Sequence, residues 1–141
     1  MKRLSIDPRF VEFIPDQLED GALYISVQFN TVVHKCCCGC GEEVVTPLSP
    51  VEWQLRTNDN LVTLYPSVGN WNFQCQSHYW IRNNHVIWAG AMSENKIRRV
   101  QERDRLDKEL YIEQLNEDKI NKTRQQPMIY RVWSWLCNIW R

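Results

Sequence analysis

Thr31 to Val45 reads TVVHKCCCGCGEEVV, and the fold turns on how this stretch is bent. Residues 31–35 have the composition of a strand, and residues 42–46 read as a second one returning from it. Between them, Cys36, Cys38 and Cys40 are spaced by two. On extended backbone, alternate side chains share a face, so Cys36 and Cys38 converge. Gly39 and Gly41 supply a tight turn that brings Cys40 back towards them. Zinc takes four ligands in a tetrahedron. Three come from this knuckle, and the fourth must arrive from elsewhere in the chain. Cys75 and His78 stand together in a structured loop and are the two candidates. Cys37 points away from its neighbours and is left out of the ligand set.

A metal also explains the cysteine usage. The first thirteen residues carry charges and a proline but no apolar core of a signal peptide. No run approaches the roughly 18 apolar residues that span a bilayer. The expected location is the cytoplasm, where thiols stay reduced and disulfides are rare. The chain has 141 residues and 43% apolar residues, which is enough for a packed core. Its formal charge is zero, which gives no bulk attraction to nucleic acid. Residues 1–92 hold 6 basic and 9 acidic side chains, whereas residues 93–141 hold 11 and 8. This asymmetry divides the expected organisation into a β-rich zinc-binding domain over 1–92 and a charged helix with a Trp-rich tail over 93–141.

Working outward from the knuckle, residues 22–29 alternate as a strand that forms a hairpin with 31–35. Residues 51–56 and 61–65 read as strands joined by the turn Asn58-Asp59-Asn60. Residues 78–82 and 85–89 flank Asn83-Asn84, a two-residue hairpin turn, since Asn tolerates positive φ. The stretch from Pro66 to Trp71 reads as a loop. Four tryptophans, Trp53, Trp71, Trp80 and Trp88, suit a β core, and His85 suits a solvent-facing strand position. Ser93 is a good N-cap, and a long exposed helix follows to about Asn121 with i,i+4 pairs such as Arg105–Glu109. The fold class is therefore α+β: six or seven short strands holding zinc, then a long C-terminal helix and an aromatic tail. In that tail, Val132, Trp133, Trp135, Leu136, Ile139 and Trp140 suit packing back on the core. A partner groove or a membrane interface is the less favoured use.

Three polar residues invite chemistry. Ser67 lies just before Gly69, in a loop able to turn backbone N–H groups inward. Ser77 and His78 follow, beside Cys75. A serine needs a nearby base to become a nucleophile, and histidine has a suitable pKa. Adjacent residues on a strand face opposite sides, so Ser77 and His78 are not themselves a pair. Ser67 with His78 is the more natural pairing, and Ser77 with His34 is the second. Turn chemistry and metal ligation are the bland readings of the same residues.

The ordered set His34-x-Cys36-x-Cys38-Gly-Cys40-Gly, Trp53, Pro66-Ser-x-Gly-Asn-Trp71, Cys75-x-Ser-His-Tyr-Trp-Ile81 and Trp88 resembles a family of small zinc-binding bacterial proteins. Members lie in or near ubiquitin-like conjugation operons with E1-like and E2-like genes. The similarity covers roughly residues 20–90. It implies a zinc-bound β-rich domain and a peptidase-like role in processing or removing a ubiquitin-like modifier through serine. It puts metal at Cys36, Cys38, Cys40 and Cys75, and chemistry among Ser67, Ser77 and His78. Cys37 stands where the family pattern leads one to expect proline.

Three functions compete on these residues. A zinc-stabilised serine hydrolase needs a serine and a histidine in contact, with zinc to one side. A scaffold recruiting a protein partner, such as a ubiquitin-like protein or its conjugation enzymes, through helix and tail needs neither. A metallohydrolase needs an open zinc position near Glu42 or Glu43.

Overall fold

The computed structural model describes residues 1–125. Eight strands and one helix follow in order: β1 (Asp7–Phe10), β2 (Ala22–Ser26), β3 (Thr31–Lys35), β4 (Glu43–Pro47), β5 (Gln54–Asn58), β6 (Leu61–Gly69), β7 (His78–Arg82), β8 (His85–Trp88) and α1 (Glu94–Gln125). The chain forms two compact units, the first ending at Asp104 and the second beginning at Arg105. The Trp-rich segment of the tail lies outside the described residues.

The strands form two four-stranded sheets, β1-β2-β3-β4 and β5-β6-β7-β8. Alternation decides what each sheet buries. In β4 only Val44 and Thr46 are buried, and in β7 only Tyr79 and Ile81. Leu23, Ile25, Val32 and Val44 from the first sheet meet Val62, Leu64, Val68, Tyr79, Ile81 and Val86 from the second in one core. All of β2 is buried, because a smaller cluster of Leu18, Ala22, Tyr24 and Val33 covers the other face of its sheet.

The sheets are tied along both sides. Beside β1, Ser5 bridges His85, and the Ile6 and Val86 amides donate to Asn84 and Leu4 carbonyls at 2.9 Å each. Beside β4, Leu48 bridges Trp53. The turns follow their residues: Asn83 and Asn84 both take positive φ, at 47° and 65°, as the β7–β8 hairpin requires.

β5 runs Gln54–Asn58 where the sequence suggests 51–56, α1 continues to Gln125 beyond Asn121, and three further differences bear on the site. β1 is an additional strand, pairing parallel with β2 at the sheet edge, where Pro8 interrupts nothing. β2 stops at Ser26, since residues 27–30 form the turn into β3, with Asn30 at φ 47°. β6 continues through Pro66 and Ser67, read above as a loop, by way of a register shift between Leu64 and Val68. β5 ends opposite Tyr65, so among the described residues this extension has no strand on that side and proline removes no ladder bond.

Ser93 stands just before α1, its carbonyl accepting from the Lys96 and Ile97 amides. Within the second unit the helix carries the expected Arg105–Glu109 pair at 2.6 Å. Leu106, Leu110, Ile112, Leu115 and Ile120 are exposed along it. Among the described residues, no helix is long and apolar enough to cross a membrane.

Candidate active site and metal centre

Two loops meet at one end of the core. The β3–β4 loop carries Cys36, Cys38 and Cys40, and the β6–β7 loop carries Cys75. The four sulfur atoms lie within 4.8 Å of one another. Cys36 Sγ is 3.4 Å from Cys38 Sγ and 3.9 Å from Cys75 Sγ, and Cys40 Sγ is 3.8 Å from Cys75 Sγ. None of the four is in a disulfide. A tetrahedron with metal–sulfur bonds near 2.3 Å has edges of about 3.8 Å, so the donor set fits such an ion. Gly39 at φ 85° and Gly41 at φ 89° make the turns that close the knuckle.

The thiols also disturb one another's titration. Cys38 and Cys40 are raised, chiefly by burial. Cys75 is held down to about 7, where burial pushes up and is outweighed by the Ser77 hydroxyl and N–H and by the Cys38 and Cys40 thiols. A cation among four sulfurs would let them all be thiolates, the form that ligates. Cys37 stands apart, wholly buried, its thiol lifted to about 11 mainly by that burial.

Beside this cluster the two serines go separate ways. Ser77 points inward and is only 7% exposed. Its Oγ lies 3.1 Å from Cys36 Sγ and accepts from Asn70 Nδ2 at 2.8 Å. Asn70 Nδ2 also approaches Cys36 Sγ at 3.6 Å and Tyr79 OH at 3.5 Å. The suggested pairing of Ser77 with His34 does not occur. His34 is fully buried, its pKa pushed to about 4 by that burial, and its Nε2 meets Tyr79 OH at 2.9 Å. Ser77 is thus held against the cysteine cluster, and among the described residues no histidine contacts its hydroxyl.

His78 faces the other way, as alternation along β7 demands. Its Nε2 is 2.9 Å from Ser67 Oγ. Both residues are partly exposed. The imidazole stands between two indoles, with centroids 4.9 Å from Trp71 and 5.3 Å from Trp80. Trp71 can lie there because residue 69 is glycine: a Cβ on Gly69 would come within 2.5 Å of the Trp71 ring. Among the described residues, His78 Nδ1 is buried without a hydrogen-bond partner and no carboxylate holds it. Burial, with a smaller contribution from the Lys96 charge, lowers the His78 pKa below 6.5.

The structure thus separates the two fourth-ligand candidates: Cys75 joins the sulfur cluster, and His78 faces a serine. The family model of bacterial ubiquitination-like system serine proteases, BubE, matches residues 10–89. The chain belongs to the BubE family. The BubE match covers the whole cysteine cluster together with Ser67, Ser77 and His78, and stops before α1. No curated protein and no solved structure matches the chain.

Sequence reasoning missed several contributors to this BubE site. The loop reading of Pro66 to Trp71 gives Asn70 no role, although it is 8% exposed and ties Ser77 to the cluster. Tyr79 was read as one strand residue among five, although it joins the chains of polar contacts from His34 and Asn70. Trp71 and Trp80 were assigned to the core, yet they flank His78. Trp80 was readable, since it follows His78 by two on one strand and shares its face.

Proposed function

We propose that this chain is a zinc-stabilised serine hydrolase that processes or removes a ubiquitin-like protein modifier, with Ser67 as nucleophile and His78 as general base. The observation that carries the reading is the 2.9 Å contact between Ser67 Oγ and His78 Nε2, set apart from four sulfur ligands. Zinc at Cys36, Cys38, Cys40 and Cys75 is structural in this reading: four cysteine ligands leave no open position for water.

The chemistry follows from those two atoms. His78 Nε2 takes the Ser67 hydroxyl proton as Oγ bonds to the scissile carbonyl carbon. The proton then passes to the leaving nitrogen as the C–N bond breaks, leaving an acyl ester on Ser67. Water attacks that ester and gives its proton to Nε2. Ser67 recovers the proton as the acyl–Oγ bond breaks. A carboxylate would usually orient the base and stabilise its charged form. Here the Trp71 and Trp80 rings, with centroids 4.9 and 5.3 Å away, hold the imidazole in place.

The reading fixes the role of His78, which can be tested on wild type and His78→Ala. In wild type, kcat/KM for an activated ester rises with pH as His78 loses its proton. The midpoint lies lower than for an ordinary histidine, because burial and the Lys96 charge lower the pKa. In His78→Ala, activity falls by about 10²- to 10⁴-fold, while bound zinc per folded chain stays at the wild-type level. Loss of zinc in the variant would make His78 a ligand and end the hydrolase reading.

A further inference from the structure

We propose that the opening between β4 and the end of β6 is a strand-addition slot that receives an extended stretch of protein substrate and delivers it to Ser67. The delivery rests on the hydrolase reading above. The slot itself rests on four features of the backbone.

First, among the described residues both walls are unpaired edges. β4 is the last strand of its sheet, and β6 runs to Gly69 although β5 stops opposite Tyr65. Second, the free amides point into the opening. Cys36 N–H donates to Glu42 C=O and Leu48 N–H to Asn30 C=O, which commits the even-numbered residues of β4 to β3. The N–H and C=O of Glu43 and Val45 therefore face away from β3. In the same way Asn70 N–H donates to Ser77 C=O, which leaves the N–H and C=O of Gly69 facing away from β7.

Third, the two edges line one cavity. Val45 and Gly69 both border a space of about 170 Å³, with Trp53, Trp71 and Phe73 among its other walls. Such a space is too small for an α-helix about 10 Å across, which leaves extended main chain as the form of backbone its edges could pair with. Fourth, the opening is framed at both ends, by the Leu48–Trp53 bridge and by the cysteine cluster that joins the β3–β4 and β6–β7 loops. Val45 is 57% exposed at this edge, an apolar residue where edges are usually guarded.

The occupant that matches unpaired donors and acceptors on two facing edges is another main chain, recognised through its amides rather than its side chains. Residues 68 and 69 follow Ser67 directly, so a strand lying along them passes the candidate nucleophile.

The test uses the full chain carrying Ser67→Ala, labelled with ¹⁵N, so that bound peptide is not consumed. The probe is a pool of acetylated hexapeptide amides randomised at every position, which presents main chain without a chosen sequence. The comparison is the same pool N-methylated at alternate residues. The unmodified pool is expected to shift the Val45 and Gly69 amide signals and slow their hydrogen exchange by about tenfold, equivalent to one net hydrogen bond. The N-methylated pool is expected to leave them unchanged. Unmoved signals, or equal binding of both pools, would overturn the slot. Shifted slot signals in a protein whose Ser67 proves unreactive would keep the slot and remove the hydrolase reading. A reactive Ser67 with unmoved slot signals would do the reverse.

Discussion

Ser67→Ala is expected to lower hydrolysis by on the order of 10⁴-fold or more while leaving fold and metal content intact, because in the proposed mechanism Ser67 Oγ is the atom that bonds to the substrate carbonyl. The companion variant Ser77→Ala has the opposite profile. Ser77 Oγ accepts from Asn70 and touches Cys36 Sγ in the interior. Its removal leaves the Asn70 amide short of a buried partner, at about 1–3 kcal/mol of stability. Activity per folded molecule should stay within a few-fold of wild type. Kinetics corrected for folded fraction, with a melting curve for each variant, separate the two serines. If Ser77→Ala abolishes turnover in folded, metal-loaded protein and Ser67→Ala does not, the assignment of roles is reversed.

Stripping the metal, or replacing Cys38 with serine, is expected to unfold the first unit at or near room temperature. The cluster ties the β3–β4 loop to the β6–β7 loop, which lie 35 residues apart between Cys40 and Cys75. Structural zinc sites bind with about 10–16 kcal/mol. A domain of this size has a total stability of about 5–15 kcal/mol. The metal term is therefore comparable to the whole. Circular dichroism and activity followed together during chelation should decay in step. Activity that disappears while the β signal persists would mean a catalytic metal. That would return Glu42 and Glu43 to consideration as the base of a metallohydrolase.

Both predictions depend on a division of labour that the sequence disclosed only in part. The knuckle was legible because cysteines spaced by two, followed by Gly39 and Gly41, admit few backbone paths. The β7–β8 hairpin was legible from Asn83-Asn84. The two-faced use of Ser77 and His78 followed from strand alternation alone. What remained hidden depends on partners distant in the chain. Nothing in Asp7-Pro8-Arg9-Phe10 alternates, and β1 exists because β2 offers it an edge. Pro66 reads as a strand end, and β6 passes through it only because β5 stops short. Asn70 looks like any turn asparagine until Cys36, 34 positions earlier, is brought beside it. Cys75 and His78 were equal candidates for the fourth ligand on spacing. The orientation of β7 separates them, and that orientation is set by Tyr79 and Ile81 entering the core.

The same orientation makes the site economical to interrogate, since Ser67 and Ser77 are in different environments within one chain. A fluorophosphonate probe reacts with a serine only where a base activates it. The most direct measurement is labelling of the folded, metal-loaded protein with such a probe, followed by peptide mapping by mass spectrometry, for wild type and His78→Ala. One adduct per chain on Ser67, absent in His78→Ala, is the predicted result. An adduct on Ser77, or none on Ser67 in folded wild type, would contradict the assignment of Ser67 and His78 as the reacting pair.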